Sequence, residues 1–197
     1  VIRREVEVIR DQVSRNGITL LGGEASFVDP HTLIIKGQEE ETEVRADYLV
    51  IATGTVPSQP EGVDVDQETV ITSDMIMSIE RIPQTMTVVG AGVIGTEYAS
   101  IFAALGVEVT LVDKRRQLLE FVDVEIMESL KYQMRDMDCI FRLGEEVASV
   151  TIEKPGRAVA ILKSGKRIIS ELLLYSIGRI GATPALNLKA AGLTADQ

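Results

Sequence analysis

A chain of 197 residues, 45% hydrophobic and 25% charged, has ordinary globular composition and room for one large domain or two small ones. Its formal net charge of −10, with nothing basic beyond the short cluster Lys114-Arg115-Arg116, argues against a nucleic-acid partner. No apolar run approaches the ~18 residues of a membrane helix, and a single cysteine, Cys139, leaves no internal disulfide and no cysteine metal site.

The chain opens at Val1 without Met, directly in an amphipathic pattern, and stops at GLTADQ with no closing element; the expectation is a piece of a longer protein. Ile2, Val6, Ile9 and Val13 recur at helical spacing, and Gly17 after Asn16 is a helix stop. From Ile18 the period shortens into β-branched runs, ITLL, ASFV, TLII, ETEV and YLVIA. GG, DPH and an acidic loop (Glu39, Glu40, Glu41, Glu43) separate them, which predicts an antiparallel meander. His31, in DPHT, reads as a surface turn residue. The stretch ATGTVPSQPEGVD is loop-like, Ser73 is placed to cap a short helix over 74–79, and Pro83 closes the linker.

At Thr85 a new unit begins. TMTVV predicts a strand, followed by a glycine-rich turn and a helix with Ile94, Tyr98, Phe102 and Leu105 on one face, stopped at Gly106. VEVTLV is a second strand. Asp123 caps another helix, with Ile126, Leu130, Met134 and Met137 on its buried side. CIFRL, VASVTIE, RAVAILK and KRIIS follow as strands, and LLLYSIG closes the unit; Cys139 reads as a buried, inert thiol. Strand, helix, strand, helix, strand predicts an α/β fold with a parallel sheet and right-handed crossovers, the meander over 147–170 replacing one crossover helix.

The glycine-rich turn carries the chemistry. Gly90 permits a tight turn, Gly92 lets the backbone approach a pyrophosphate, and Gly95, with the small Ala99 after it, lets the helix pack closely on the sheet. The first helical turn, with Val93 and Ile94, presents N–H groups and a partial positive charge to phosphates. Asp113 ends the second strand 18 residues beyond Gly95, close to the ~20 expected of an acid that reads a ribose. Lys114, Arg115 and Arg116 follow at once, where a guanidinium can grip a phosphate with two hydrogen bonds. The pattern therefore mixes the acid that suits NAD with the bases that suit NADP.

Three stretches, YLVIATGTVPSQP, VVGAGVIGTEYASIFAALGVEVTLVDKRRQLLEFVD and LLYSIGRIGAT, together resemble the pyridine nucleotide–disulfide oxidoreductases, in that family's order and spacing. The resemblance implies a Rossmann-like NAD(P)-binding domain over 82–179 with a β-meander crossover. A partial FAD-binding domain with its own β-meander would occupy 1–81, and a segment returning toward that domain 180–197. It implies that Thr53 and Gly54 match the turn lying against FAD, that Glu97 matches an acid near the nicotinamide, and that Gly178 and Arg179 match the Gly-Arg pair ending the nucleotide domain. The Pro-Asn that often follows that pair is replaced by Gly181-Ala182. The aromatic gate that shields the flavin in some disulfide reductases falls at Val93 and is absent.

NAD-dependent relatives place an acid where Asp113 stands, whereas NADPH-dependent ones place a base at Lys114 and another where this chain has Glu120. What the resemblance implies is the NAD(P) site of an FAD-dependent flavoprotein that moves hydride between NADPH and NAD through its flavin, with no catalytic residue in this piece and no metal. Composition, with no membrane-length apolar run and no secretory pattern, fits a reducing cytoplasm with neither nucleic acid nor membrane as partner, and the expected parent is a homo-oligomer whose partners are nicotinamide dinucleotides. Dihydrolipoamide dehydrogenase, or another disulfide reductase with an upstream CxxxxC, stays open. A non-catalytic NAD(H) sensor is disfavoured by Thr53-Gly54, and a methyltransferase by the GAGVIG spacing and Gly178-Arg179.

Overall fold

The computed structural model describes residues 2–59, 62–63 and 65–196. Pro60, Glu61 and Asp64, within the stretch read as a loop, lie outside the described residues, as do the terminal Val1 and Gln197. The chain forms two compact units, Val1–Gly54 with Gly181–Gln197, and Thr55–Ile180.

In the first unit, helix α1 (Ile2–Arg15) ends as its sequence predicts, with Gly17 in the left-handed region at φ +66°. Strands β1 (Glu24–Asp29), β2 (Thr32–Lys36) and β3 (Glu41–Arg45) form the antiparallel meander in the order β1-β2-β3. The β1–β2 turn is set by Asp29, whose Oδ1 accepts the His31 N–H at 2.7 Å, and His31 is an exposed turn residue. Asn187, in the left-handed region at φ 53°, donates from Nδ2 to Phe27 O at 2.9 Å and ties the tail of the chain to β1. ITLL and YLVIA do not become strands: β-branched runs form ladders only where a neighbouring strand offers its backbone, and neither finds one among the described residues.

The second unit begins with β4 (Thr55–Pro57) and β5 (Val70–Thr72). Next come β6 (Thr85–Val89), α2 (Val93–Ala104), β7 (Glu108–Asp113), α3 (Val124–Asp136) and β8 (Ile140–Leu143). Strands β9 (Val147–Lys154), β10 (Arg157–Leu162) and β11 (Arg167–Ser170) form an antiparallel meander, followed by β12 (Leu172–Tyr175) and β13 (Arg179–Gly181). The parallel sheet has the order β5-β12-β6-β7-β8, while β13 pairs with β4. Strand β5, only three residues long, has no counterpart in the sequence reading; so short a run carries no period to detect.

Period-two alternation makes this unit three layers thick. Along β12, Leu172 and Leu174 join the core under the helices with Met86, Val88, Leu111, Phe102 and Met134. Leu173 and Tyr175 point the other way, onto Val150, Ala158 and Ala160 of the meander. A sheet buried on both faces explains why LLLY is continuously apolar. Each of its fully buried leucines contributes about 1.5–3 kcal/mol of burial.

The expected helix faces hold in large part: Phe102 on α2 and Met134 on α3 are buried, Tyr98, Leu130 and Met137 pack partly buried on the same core, and Leu105 and Ile126 do not. On α2 the buried residues are Gly95, Thr96, Ala99, Phe102 and Ala103, while Leu105 is exposed. On α3 they are Met127 and Met134, and Ile126 faces solvent at 61% exposure. Close packing places small side chains around Phe102 on α2, and flexible methionines beside Leu130 on α3. Asp123 caps α3 as expected, its Oδ1 accepting the Glu125 N–H at 2.9 Å. Ser73 does not cap: a short 3₁₀ turn runs from Ile76 to Ser78 without a side-chain cap, and the Ser73 hydroxyl accepts from Arg179 Nη1 at 3.2 Å instead.

Candidate functional site

The two strands at the middle of the parallel sheet lead in opposite directions: from β6 the chain moves outward to β7, and it returns through β12 on the other side. Ligands of open α/β sheets bind outside the carboxyl ends of the strands at such a switch point. A cleft of about 700 Å³ lies there, lined by Gly90, Gly92, Asp113, Arg115, Ser176 and Gly178 among others.

The glycines are required by their surroundings. At Gly90, with φ +107°, a Cβ would lie 2.5 Å from Ser176 O. At Gly95 it would lie 1.8 Å from Gly90 O and 2.5 Å from Ser176 Oγ, so only hydrogen allows α2 to approach the strands this closely. Gly92 differs: a Cβ there would meet only Arg115 Nη2, at 3.8 Å, so its surface is open to the cleft. Helix α2 starts at Gly92 with no side-chain cap, leaving its first-turn N–H groups to an anion. An open glycine beside an uncapped helix start fits a pyrophosphate.

Asp113 is 7% exposed and its carboxylate is fully engaged by the protein. Oδ1 accepts the Arg115 backbone N–H at 2.7 Å and Nε at 3.0 Å. Oδ2 accepts the Ala91 N–H at 2.6 Å and Arg115 Nη2 at 2.7 Å. Burial pushes the carboxyl up, but the hydrogen bonds from Arg115 and Ala91 outweigh it and hold the pKa below the ordinary carboxylate value. The hydrogen bond to Asp113 in turn raises Arg115. Asp113 thus ties the glycine turn to the end of β7, a task its position alone does not reveal, and Gly90 N–H reinforces the tie by donating to Val112 O at 2.8 Å.

Gly90, Gly92, Val93, Ile94, Asp113, Lys114, Arg115 and Gly178 all line the cleft, with Gly95 packed beneath it. Glu97 is exposed on α2 and lies outside the lining; Thr53 and Gly54 are exposed in the first unit. Ser176, Glu145 and Glu146 are among the lining residues that escaped the sequence reading. The Ser176 hydroxyl contacts both Val89 O and Gly90 O at 3.0 Å, joining the loop after β12 to the glycine turn. Its place just after the last parallel strand was the available signal. Glu145 and Glu146 form the rim beyond β8, where Glu145 N–H donates to Asp113 O at 3.1 Å and Glu146 pairs with Lys163 at 2.8 Å. A loop between two sheets carries no motif that would have marked them.

Arg179 fixes the wall nearest Gly178. Its guanidinium donates to Thr55 Oγ1 and Thr55 O, both at 2.7 Å, and to Asp74 Oδ1 at 2.6 Å. Cys139 is 3% exposed, and burial pushes its thiol up to about 11, so it stays protonated and unreactive. Among the described residues no cluster of three or more metal-ligating side chains converges, and no helix is long and apolar enough to cross a membrane.

A switch-point cleft with a glycine turn and a strand-end acid defines a dinucleotide-binding α/β protein. Residues 2–197 match the family model for pyridine nucleotide-disulphide oxidoreductase, and the chain belongs to that family. It is 49% identical over 195 residues to the soluble pyridine nucleotide transhydrogenase of Mycobacterium bovis (strain BCG / Pasteur 1173P2), covering 98% of this chain and 42% of that protein. It is 43% identical over 198 residues to the protein of the same name from Photobacterium profundum, covering 100% of this chain and again 42% of the relative. The chain therefore spans less than half the length of the curated relatives it matches. Among solved structures, LpdA from Mycobacterium tuberculosis aligns with a TM-score of 0.90 at 23% identity, over 99% of this chain and 44% of that one. The HOCl-induced flavoprotein disulfide reductase RclA from Escherichia coli aligns at 0.83 and 23%, over 100% and 46%. At that identity these two likenesses establish the fold.

Proposed function

We propose that this chain supplies the nicotinamide-dinucleotide site of a cytoplasmic, FAD-dependent transhydrogenase that moves hydride between NADPH and NAD. The observation that carries the reading is the open face of Gly92 at the uncapped start of α2, with Asp113, Lys114 and Arg115 grouped on the same cleft wall. The names of the relatives, matched over nearly the whole chain, support it. A flavin, when bound, supplies the two-electron acceptor that takes hydride from one nicotinamide and gives it to the next. The residues of this chain bind and orient. The first turn of α2 holds the pyrophosphate, Asp113 accepts from an unphosphorylated ribose, Lys114 and Arg115 neutralise a 2′-phosphate, and Gly178 borders the cleft. With no aromatic at Val93, no gate stands over the nicotinamide side.

The test is calorimetric titration of the chain with NAD+ and NADP+. Both are expected to bind, with affinities within about a hundredfold of each other, or ~3 kcal/mol. Asp113→Asn is expected to weaken NAD+ more than NADP+, and Lys114→Ala the reverse. Failure of both nucleotides to bind, or equal losses for both in the two variants, refutes the reading.

A further inference from the structure

We infer that Arg115 is a built-in competitor for the Asp113 carboxylate, which NAD(H) has to displace and NADP(H) recruits. The inference rests on the reading of the cleft proposed above, and its evidence is the saturation of that carboxylate. An ionised carboxyl has about four acceptor positions, and all four are used: two by the backbone N–H groups of Ala91 and Arg115, two by Nε and Nη2 of the Arg115 side chain. The backbone pair is fixed by the fold. The guanidinium pair stands on a rotatable stem whose side chain is 38% exposed, against 6% for Asp113. Ribose hydroxyls reach Asp113 only by taking the two positions that the guanidinium holds.

The guanidinium also stands in the path of the ligand. Its Nη2 lies 3.8 Å from where a Cβ on Gly92 would sit, over the glycine that leaves room for a pyrophosphate. Displaced, it has a second attraction at hand in Glu120, whose charge already acts on it. A 2′-phosphate reverses the balance. The guanidinium meets the phosphate while still screening Asp113, so the anionic ligand never faces a bare carboxylate. The acid and the base that suit opposite ligands are one device, and the resting position of Arg115 favours the phosphorylated nucleotide.

The experiment compares the wild-type chain with Arg115→Ala and Arg115→Lys by calorimetry, using NAD+, NADP+, adenosine 5′-monophosphate and adenosine 2′,5′-bisphosphate. Arg115→Ala is expected to tighten NAD+ and the monophosphate by about threefold to tenfold and to weaken NADP+ and the bisphosphate by about tenfold. Arg115→Lys, which keeps the charge but loses the two-pronged grip, is expected to tighten NAD+ while retaining most of the NADP+ affinity. A loss of general stability cannot produce changes of opposite sign, and thermal melts of the ligand-free variants give the baseline. If Arg115→Ala weakens NADP+ but leaves NAD+ and the monophosphate unchanged or weaker, Arg115 is only a phosphate ligand and this inference fails alone. If no nucleotide binds either the wild type or the variants, it falls together with the proposed function.

Discussion

Asp113 ends β7 with both oxygens turned toward donors of its own chain, and this has a consequence for stability as well as for binding. Its folded pKa lies below the ordinary value, because hydrogen bonds from Arg115 and Ala91 outweigh burial, which acts the other way. A carboxyl depressed in this way stabilises the fold above its unfolded pKa, about 3.9, and the contribution is lost as pH falls through the folded value. Asp113→Asn should therefore lower the unfolding free energy from urea denaturation near pH 7, by roughly 1 kcal/mol or less for a pair whose arginine is part-exposed, and the gap to wild type should shrink near pH 3. A gap of equal size at both pH values would contradict the assignment. That Asp113 belongs to the site is legible from its spacing after Gly95. That Arg115 occupies it is not, because sequence order says nothing about which rotamer closes a ring of hydrogen bonds.

Helix α2 reaches the sheet through a run of small residues, and its glycines separate into two kinds. An added methyl at Gly95 meets the Gly90 carbonyl and the Ser176 hydroxyl, and the backbone partner cannot yield without moving β6. Gly95→Ala is expected to cost about 2–3 kcal/mol. At Gly92 the same methyl meets only the end of a flexible arginine, and Gly92→Ala is expected to stay within ~1 kcal/mol of wild type. Thermal melts of the two variants check the contrast, which reversed order would refute. Hydrophobic periodicity located α2 and α3 and most of their buried faces, with Phe102, Leu130, Met134 and Met137 against the core, but it misplaced Leu105 and Ile126, which face solvent. A 3.6-residue period marks the apolar stripe of a helix, whereas the line of contact is chosen by the shape of the sheet beneath.

The chain as a whole holds a single glycine-rich pyrophosphate turn, at Gly90–Gly95, and one such cradle cannot serve two dinucleotides at once. The purified 197-residue chain is therefore expected to be colourless, and visible flavin absorbance near one equivalent would overturn that expectation. Self-association that rises with concentration in analytical ultracentrifugation is expected too, because the first unit exposes Ile2, Leu20, Tyr48 and Val50, the last at 91%. The longer strands of the second unit, β6 to β12, the Asp123 cap, the Gly106 stop and the glycine turn were readable from the sequence, because each rests on local chemistry: alternation along a strand, a side chain reaching an N–H, a φ that glycine tolerates. ITLL and YLVIA mark the limit of such reading. Their composition suits a strand, but a ladder needs a partner, and pairing is settled by what folds alongside. The three-residue β5, the loop of Ser176 against the glycine turn and the closure of Arg115 on Asp113 were likewise decided only in the tertiary structure. Each joins groups whose meeting depends on the path of the backbone, and no local pattern encodes that path.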